Sequence, residues 1–207
     1  MAVPAVRPVY YSAMKAGGKE TEVKLALGRT APVRLWLRRQ GFRLIRPRSF
    51  ESNLILDTSR RRLRRRGYLL RLRSMNGRHW LALKGPSAAS ERYKVRTEWE
   101  TELADAEAGR RVLAGLGFEP VFRYEKFRTV YTGRGRWRGG EVMLDETPVG
   151  NYLELEGGRR WIRLVARALG ANPDDFITKS YAGLYADWCR RRGRLATHMV
   201  FGRRLSP

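Results

Sequence analysis

Two carboxylates and an ammonium group alternate along the short segment Glu20-Thr21-Glu22-Val23-Lys24. Alternate side chains of an extended strand lie on the same face, so Glu20, Glu22 and Lys24 would project together. Carboxylate oxygens bind hard divalent cations, and a neighbouring ammonium group binds phosphate oxygens. Taken alone, the segment is more typical of a solvent-facing strand with cross-strand salt bridges.

Later segments repeat this pattern, and the repetition changes the interpretation. In each segment the charged side chains occupy alternate positions, which we call the charged parity, and the positions between them, the apolar parity, are mostly apolar. The charged sets are Arg71/Arg73, Lys84, Arg96/Glu98/Glu100, Lys126/Arg128 and Glu154/Glu156. The apolar sets include Leu70, Leu72, Leu81, Leu83, Trp99, Phe127, Tyr131, Leu153 and Leu155. Several such strands together favour a sheet with one charged face and one apolar face.

Turn residues and hydrophobic periodicity divide the chain into about eight strands and about four helices. The predicted strands are at about 19–27, 51–57, 68–75, 78–84, 93–103, 120–131, 141–147 and 151–156. The predicted helices are at about 30–41, 105–117, 161–170 and 173–188. The dipeptide Asn76-Gly77 predicts a hairpin turn between the third and fourth strands.

These elements predict an α+β fold in which a mostly antiparallel sheet carries amphipathic helices. If the sheet closes into a barrel, the helices can cover its apolar face on the outside. The charged face then lines a tunnel. Burying so many ionic groups would be prohibitive without pairing, water or a bound polyanion with a metal.

The residue types in this tunnel indicate what it would bind. Its carboxylates suit Mg²⁺ or Mn²⁺, and its arginines match phosphate oxygens. A metal-chelated polyphosphate needs both, and transfer of its phosphoryl or nucleotidyl group depends mainly on positioning and electrostatic stabilisation. The candidate metal-binding carboxylates are Glu20, Glu22, Glu100, Asp145, Glu154 and Glu156.

Length and composition set wider limits. The chain has 207 residues, enough for one core, and a formal net charge of +23 that attracts polyanions of any kind. Its single cysteine, Cys189, excludes an intramolecular disulfide and a cysteine-based zinc site. No apolar N-terminal run resembles a signal or a membrane span, so we expect a cytoplasmic monomer or homodimer without membrane contact. We predict a flexible leader at 1–18, one tunnel domain at 19–190 and a basic tail at 191–207.

Two arginine-rich runs, 60–66 and 190–194, exceed what the tunnel would need. Blocks of like charge are most often solvated surface. The alternative is a surface that binds RNA or polyphosphate, whose affinity would fall steeply with salt.

The ordered set of motifs resembles the CYTH superfamily. These are the triphosphate tunnel enzymes, which include class IV adenylyl cyclases, thiamine triphosphatases and inorganic triphosphatases. A lone ExExK signature would be weak, but the resemblance extends over residues 20 to 185. The matching motifs are Glu20/Glu22/Lys24, Asp57-Thr58, Leu70-Arg71-Leu72-Arg73, Leu83-Lys84-Gly85-Pro86, Glu98/Glu100, Tyr124-Glu125-Lys126-Phe127-Arg128, Leu144-Asp145-Glu146, Gly150 through Leu153-Glu154-Leu155-Glu156-Gly157, and Ser180-Tyr181.

The resemblance implies an eight-stranded antiparallel β-barrel tunnel in which Glu20, Glu22, Glu154 and Glu156 bind the metal. It implies a second metal or a water-orienting role for Asp145 and the Glu98/Glu100 pair, and it suggests Lys179 as a further substrate-binding cation. The residues that would hold the triphosphate and act in catalysis are Lys24, Arg71, Arg73, Lys84, Lys126 and Arg128.

The chain looks most like the bacterial class IV adenylyl cyclases, which implies conversion of ATP to cyclic AMP and pyrophosphate. A triphosphatase, which would direct water at a terminal phosphorus of tripolyphosphate, thiamine triphosphate or a nucleotide, is the first alternative. A noncatalytic protein that binds RNA or polyphosphate is the second. The His-Phe pair that precedes ExExK in some cyclases is replaced here by Ala16-Gly17-Gly18-Lys19.

Overall fold

Eight antiparallel strands close into a barrel in the computed structural model, which describes residues 18–88 and 92–202. Around the barrel the strand order is β1-β5-β4-β3-β2-β6-β7-β8. The predicted eight-stranded antiparallel barrel is therefore confirmed. The strands are β1 (Gly18–Leu27), β2 (Arg43–Asp57), β3 (Leu69–Met75), β4 (Arg78–Lys84), β5 (Lys94–Leu103), β6 (Glu119–Thr132), β7 (Gly140–Thr147) and β8 (Gly150–Gly157).

The helices of the described residues pack on the outside of this barrel or follow its last strand. They are α1 (Thr30–Arg39), α2 (Arg62–Arg65), α3 (Ala106–Gly115), α4 (Arg159–Ala168) and α5 (Tyr181–Arg191). Short 3₁₀ turns occupy Gly135–Trp137 and Pro173–Asp175. The last helix was predicted to start near Pro173, and this was wrong. It starts at Tyr181, where the Ser180 hydroxyl accepts the backbone N–H of Gly183 at 3.2 Å.

The apolar parity of the strands faces outward and is covered by these helices. One core joins Val23 and Leu155 of the barrel wall to Leu37 of α1 and Ile162 of α4, all fully buried. A second core packs Leu70 and Leu72 against the α2 and α3 region. The charged parity is left to face the inside of the barrel.

Trp161 fixes the position of α4 against the strand ends. Its indole Nε1 donates a hydrogen bond to the Trp137 carbonyl at 2.7 Å. A Cβ atom at Gly140 would lie 2.6 Å from the Trp161 ring, so only glycine allows this close approach. Gly140 of β7 therefore allows α4 to pack closely against the barrel.

Asp57 closes the loop that follows β2. Its buried carboxylate accepts the backbone N–H groups of Thr58, Leu63 and Arg64 at 2.7, 2.9 and 2.9 Å. These backbone bonds outweigh burial and lower the pKa of Asp57. The Asp57-Thr58 motif therefore has a structural role, because it stabilises the arginine-rich turn that forms α2.

Helix α5 begins over the barrel end where β6 starts and β7 finishes. The Tyr181 ring lies 5.8 Å from Tyr124 and 5.7 Å from Tyr152, centroid to centroid. Tyr185 then contacts Phe122 at 6.0 Å. This aromatic cluster covers one end of the barrel.

The segment after α5 completes the barrel wall. β6 pairs with β7 only over residues 127–132, which leaves its first half without a strand on that side. Met199 pairs there: its N–H donates to the Arg123 carbonyl at 3.0 Å, and its carbonyl accepts from Glu125 N–H at 2.8 Å. Met199 is fully buried. The tail thus docks on the barrel as far as Phe201, whose N–H donates to Glu125 Oε2 at 3.0 Å and whose ring lies 5.3 Å from that of Phe127.

Two predictions made from the sequence fall partly outside the described residues. The leader predicted at 1–18 lies outside them except for Gly18, which begins β1, and the tail predicted at 191–207 lies outside them from residue 203 onward. The domain boundaries stay predictions. Within the described ranges, no helix combines the length and the apolar character needed to cross a bilayer.

Replacing Met199 by alanine should destabilise the protein by about 2–5 kcal/mol, because it removes a wholly buried side chain from the closed wall. The measurement is urea unfolding. Leu195, in the same segment, is 91% exposed, and Leu195→Ala should change the free energy of unfolding by no more than about 0.5 kcal/mol. Equal effects of the two substitutions would contradict the docking of the tail.

Candidate functional site

A cavity of about 780 Å³ runs inside the barrel and is lined by charged side chains from its strands. It brings together nearly all of the residues singled out in the sequence. Those that line it are Glu20, Glu22, Lys24, Arg71, Arg73, Lys84, Glu98, Glu100, Lys126, Arg128, Glu154 and Glu156. Asp145 lies in the wall behind Lys126 and Arg128, and Lys179 lies elsewhere.

The β1–β8 wall places two carboxylates around one ammonium group. The strand register sets Lys24 opposite Glu154 and Glu22 opposite Glu156. The Lys24 Nζ atom lies 3.0 Å from Glu154 Oε1 and 3.3 Å from Glu22 Oε1. Burial lowers the pKa of Lys24, but the two carboxylates outweigh it and the pKa is raised. Lys24 therefore stays charged although it is only 2% exposed.

The opposite wall, from β3, β4 and β5, has the same alternation of charge. Lys84 Nζ lies 2.9 Å from Glu20 Oε2 and 3.0 Å from Glu98 Oε2. Arg71 reaches Glu98 at 3.4 Å and Glu100 at 3.2 Å. Lys84 and Arg71 therefore both contact carboxylates of β1 or β5. Arg73 completes the row with Glu100 at 2.9 Å.

Asp145 is a completely buried counter-ion for two of the cations. Its carboxylate accepts hydrogen bonds from Lys126 Nζ at 3.0 Å and from Arg128 Nε and Nη2 at 2.6 and 2.5 Å. The Tyr181 hydroxyl donates to it at 2.5 Å. Since these donors occupy both oxygens, Asp145 holds the cations in place and ties α5 to them. A metal-binding role for Asp145 stays a prediction.

Lys179 is separate from the cavity. Its side chain is 60% exposed and its ammonium group lies 2.5 Å from Asp187 on α5. Its predicted role in binding substrate is therefore not supported by a position in the cavity wall and stays a prediction.

Glu51, Lys94 and Tyr181 also belong to the site, although the sequence analysis assigned none of them a metal-binding or phosphate-binding role. Glu51 is wholly buried beside Lys126 at 3.7 Å and Arg46 at 3.6 Å. Burial raises its pKa, but Lys126, Arg128, Arg73 and Arg46 outweigh burial and lower it to about 2. Glu51 is therefore an ionised carboxylate among cations of the cavity wall.

Lys94 extends the row of charged residues that the sequence analysis recognised at Arg96, Glu98 and Glu100 of β5, and it could have been found from that row. Lys94 is ion-paired with Glu22. Burial, together with nearby Lys24, Lys84 and Arg96, lowers the pKa of Lys94 to about 8 despite this pairing. Arg96 lines the cavity, and its Nε atom has no hydrogen-bond partner among the described residues. Positive charge is thus crowded at this part of the tunnel, which favours binding of an anion.

The carboxylates fit a divalent cation by their chemistry. Burial, with Glu22, Glu98 and Glu156 adding to it against the opposing effect of Lys84, raises the pKa of Glu20 to about 8. Such crowding of carboxylates is what a bound cation would relieve. Within residues 18–88 and 92–202, however, no three acidic, histidine or cysteine side chains already surround one point. Metal binding would therefore require some of the ion pairs described above to be exchanged.

A closed antiparallel barrel with an ionic inner wall is the architecture of a triphosphate tunnel protein. The model of the CYTH domain family matches residues 18–167, and the chain belongs to this family. Its members bind triphosphate substrates and use divalent metals.

Solved structures share this fold. A protein from Pyrococcus horikoshii, PH1819, is 24% identical with a TM-score of 0.68, covering 81% of this chain and 98% of its own. A proposed adenylate cyclase from Vibrio parahaemolyticus is 22% identical with a TM-score of 0.67 and the same coverage. A Hippeastrum protein, HpAC1, described as a proposed adenylyl cyclase with a dominant triphosphatase activity, is 21% identical with a TM-score of 0.59, covering 85% and 97%. No curated protein matches the chain.

Replacing Glu20 by glutamine should change how stability depends on pH in metal-free protein. Its folded pKa of about 8 lies above the ordinary value of 4.5, so ionising Glu20 costs folding free energy progressively between these values. Measured by urea unfolding with a chelator, Glu20→Gln should gain stability relative to wild type as the pH rises from about 5 to about 9.

Adding Mg²⁺ or Mn²⁺ at the upper pH should then stabilise the wild type more than Glu20→Gln. The matched control is Glu107→Gln on the surface of α3, whose pKa is lowered through its contact with Arg110. If wild type and Glu20→Gln keep a constant difference in stability over this pH range, ionisation of Glu20 does not destabilise the folded protein.

Proposed function

We propose that this protein is a divalent-metal-dependent enzyme that acts on a triphosphate, with adenylyl cyclase activity of the class IV type as the leading reaction. The observation that carries this proposal is the convergence of six phosphate-binding candidates on one cavity, alternating with carboxylates. These cations are Lys24, Arg71, Arg73, Lys84, Lys126 and Arg128. Membership of the CYTH family also supports the proposal, because members of this family bind triphosphates.

The cations would bind the phosphate chain along the two walls. Lys24 and Lys84, held by carboxylates on both sides, would each exchange one ion pair for a phosphate oxygen. Arg128 has a planar fork suited to two oxygens at once, and Asp145 keeps that fork oriented. Positioning of this kind supplies most of what phosphoryl transfer requires of a protein.

The metal, Mg²⁺ or Mn²⁺, would be held by Glu20, Glu22, Glu154 and Glu156, with Glu100 and Asp145 as further candidates. When bound it would neutralise phosphate charge and lower the pKa of a coordinated hydroxyl. In the cyclase reaction the ribose 3′-hydroxyl of ATP attacks the α-phosphorus. The O–P bond to the α-phosphorus forms, and the bond from the α-phosphorus to the bridging oxygen breaks. Pyrophosphate leaves with that electron pair, and the proton of the hydroxyl passes to water.

A triphosphatase is the second candidate, since the same cations would hold the substrate while water attacks a terminal phosphorus. Two observations favour it. The His-Phe pair of some cyclases is absent before Glu20, and the structurally similar Hippeastrum protein is described as having a dominant triphosphatase activity. The preferred substrate would be tripolyphosphate, thiamine triphosphate or a nucleoside triphosphate.

A noncatalytic role in binding RNA or polyphosphate is the third. The arginines between 60 and 66 are exposed, and none lies in an ion pair with a carboxylate of the described residues. A protein of this kind would bind polyanions tightly and lose affinity as salt rises, without any metal-dependent product. The expected cytoplasmic location and the monomeric or homodimeric state also stay predictions.

Product analysis should identify the reaction. Pure protein is incubated with ATP, tripolyphosphate or thiamine triphosphate, each with Mg²⁺ or Mn²⁺ and each with a chelator. We expect cyclic AMP and pyrophosphate from ATP, only with metal. Orthophosphate instead would indicate the triphosphatase, and metal-independent binding without product would indicate the noncatalytic role.

Changing both Glu20 and Glu22 to glutamine should lower metal-dependent turnover by at least about 100-fold, because it removes two anionic oxygen ligands from the proposed metal site. The matched control, Glu107→Gln on α3, should retain wild-type turnover. Unchanged turnover in the double variant would reject the proposed metal site.

A further inference from the structure

A second cavity, of about 380 Å³, lies outside the barrel between α1, β2 and β6. It forms where the pairing of β2 with β6 is irregular, with register shifts between Leu44 and Arg46 and between Arg46 and Ser49. Pro47 lies in this stretch and has no N–H to offer the neighbouring strand. The bulged strand separates from α1 and leaves a hollow in the size range of small-molecule sites.

Three arginines surround this hollow: Arg34 and Arg38 from α1, and Arg48 from β2. Glu146 is shared between two of them, at 3.4 Å from Arg34 and at 3.0 Å from Arg48. Arg38 forms no ion pair with a carboxylate of the described residues. Three guanidinium groups against one carboxylate leave the hollow positively charged.

The floor of the hollow holds a polar group that nothing satisfies. Thr129 is 4% exposed, and its Oγ1 atom lacks a hydrogen-bond partner in the described part of the chain. The Nε atom of Arg34 is likewise buried and without a partner there. Unsatisfied buried polar atoms are costly and uncommon in folded proteins, so a hydroxyl and an N–H at one hollow indicate a missing partner.

The rest of the lining is apolar and partly aromatic. Phe42, Leu44, Pro47 and Tyr131 contribute it. Tyr131 is buried, which raises the pKa of its phenol, while the nearby charges of Arg34 and Arg38 oppose that rise. The arginines therefore stand next to an aromatic ring. A ligand for this surface needs an anionic group for the arginines and a flat apolar group for Tyr131 and Phe42.

We propose that this hollow is a second binding site, distinct from the tunnel, for a small phosphate ester that carries a flat aromatic group. The phosphate accepts from Arg34, Arg38 and Thr129, and the aromatic group packs on Tyr131. Neighbouring residues of β6 face opposite sides, so Thr129 serves this site while Arg128 serves the tunnel. The proposal does not depend on which reaction the tunnel performs.

Calorimetric titration with AMP tests the proposal, with adenosine and inorganic phosphate as the two halves of the probe. The wild type should bind AMP saturably and more tightly than either half. Arg38→Gln and Thr129→Val should each weaken AMP binding about tenfold or more, because each removes a hydrogen-bonding group that the phosphate needs. Thr129→Ser, which keeps the hydroxyl, should retain wild-type affinity.

Two control variants separate this site from the tunnel. Arg39→Gln changes an exposed neighbour on α1 and should leave AMP binding unchanged. Lys126→Gln changes a cation of the tunnel, so it should affect only AMP bound in the tunnel and leave binding at the outer site intact. The proposal is overturned if AMP shows no saturable binding, if adenosine binds as tightly as AMP, or if Lys126→Gln abolishes binding while Arg38→Gln and Thr129→Val leave it intact. Melting temperatures within a few degrees of wild type confirm that each variant is folded.

Discussion

The ion pairs inside the closed barrel are the constraint from which the other features follow. A buried lysine or arginine costs several kcal/mol unless a carboxylate or a hydrogen bond compensates for its lost water. Lys24, Lys84 and Arg128 each contact two carboxylates. The strand register places one partner of each directly opposite, namely Glu154, Glu98 and Asp145, and the second partner comes from the same strand or from two strands away. Because the charged residues of each strand face the lumen, the apolar residues face outward and must be covered from outside. The helices therefore pack on the outer surface.

This pairing also bears on the kind of ligand that the tunnel can accept. A bare polyphosphate would take cations such as Lys84 away from Glu20 and Glu98 and leave buried carboxylates without compensation. A divalent cation alone would take carboxylates such as Glu20 away from Lys84 and leave buried ammonium and guanidinium groups without compensation. A metal-chelated polyphosphate supplies both partners at once, so every exchanged ion pair is replaced by another. Burial and neighbouring carboxylates raise the pKa of Glu20, and burial and neighbouring cations lower the pKa of Lys94, so the tunnel has places that favour a bound cation and places that favour a bound anion.

The barrel and most of its inner wall were predictable because strand periodicity is local: alternate residues reveal the face before the partners are known. Other features depend on the assembled structure. Glu51 shares its parity with Ser49 and Asn53, so no charged row marked its strand, and Pro47 with several arginines concealed the first half of β2. The docking of Met199 needs a free edge of β6, which exists only because β7 is shorter than β6. The contact of Tyr181 with Asp145 likewise joins residues far apart in the sequence.

The two ends of the cavity differ, and this difference bears on the reaction more than the shared wall does. Cyclase and triphosphatase chemistry need the same cations around the phosphates, so these residues cannot discriminate between a ribose hydroxyl and water as the nucleophile. At one end the lining is Ile55, Leu69, Phe122 and Tyr124 below α5, which suits a flat organic group. At the other end the charged side chains of Lys19, Glu102 and Glu141 are mixed with the apolar side chains of Trp80, Val130 and Met143. Orientation of a nucleotide along this axis would bring either its ribose or its terminal phosphate to the candidate metal-binding carboxylates, and contacts of the base with the apolar end would favour one of the two orientations.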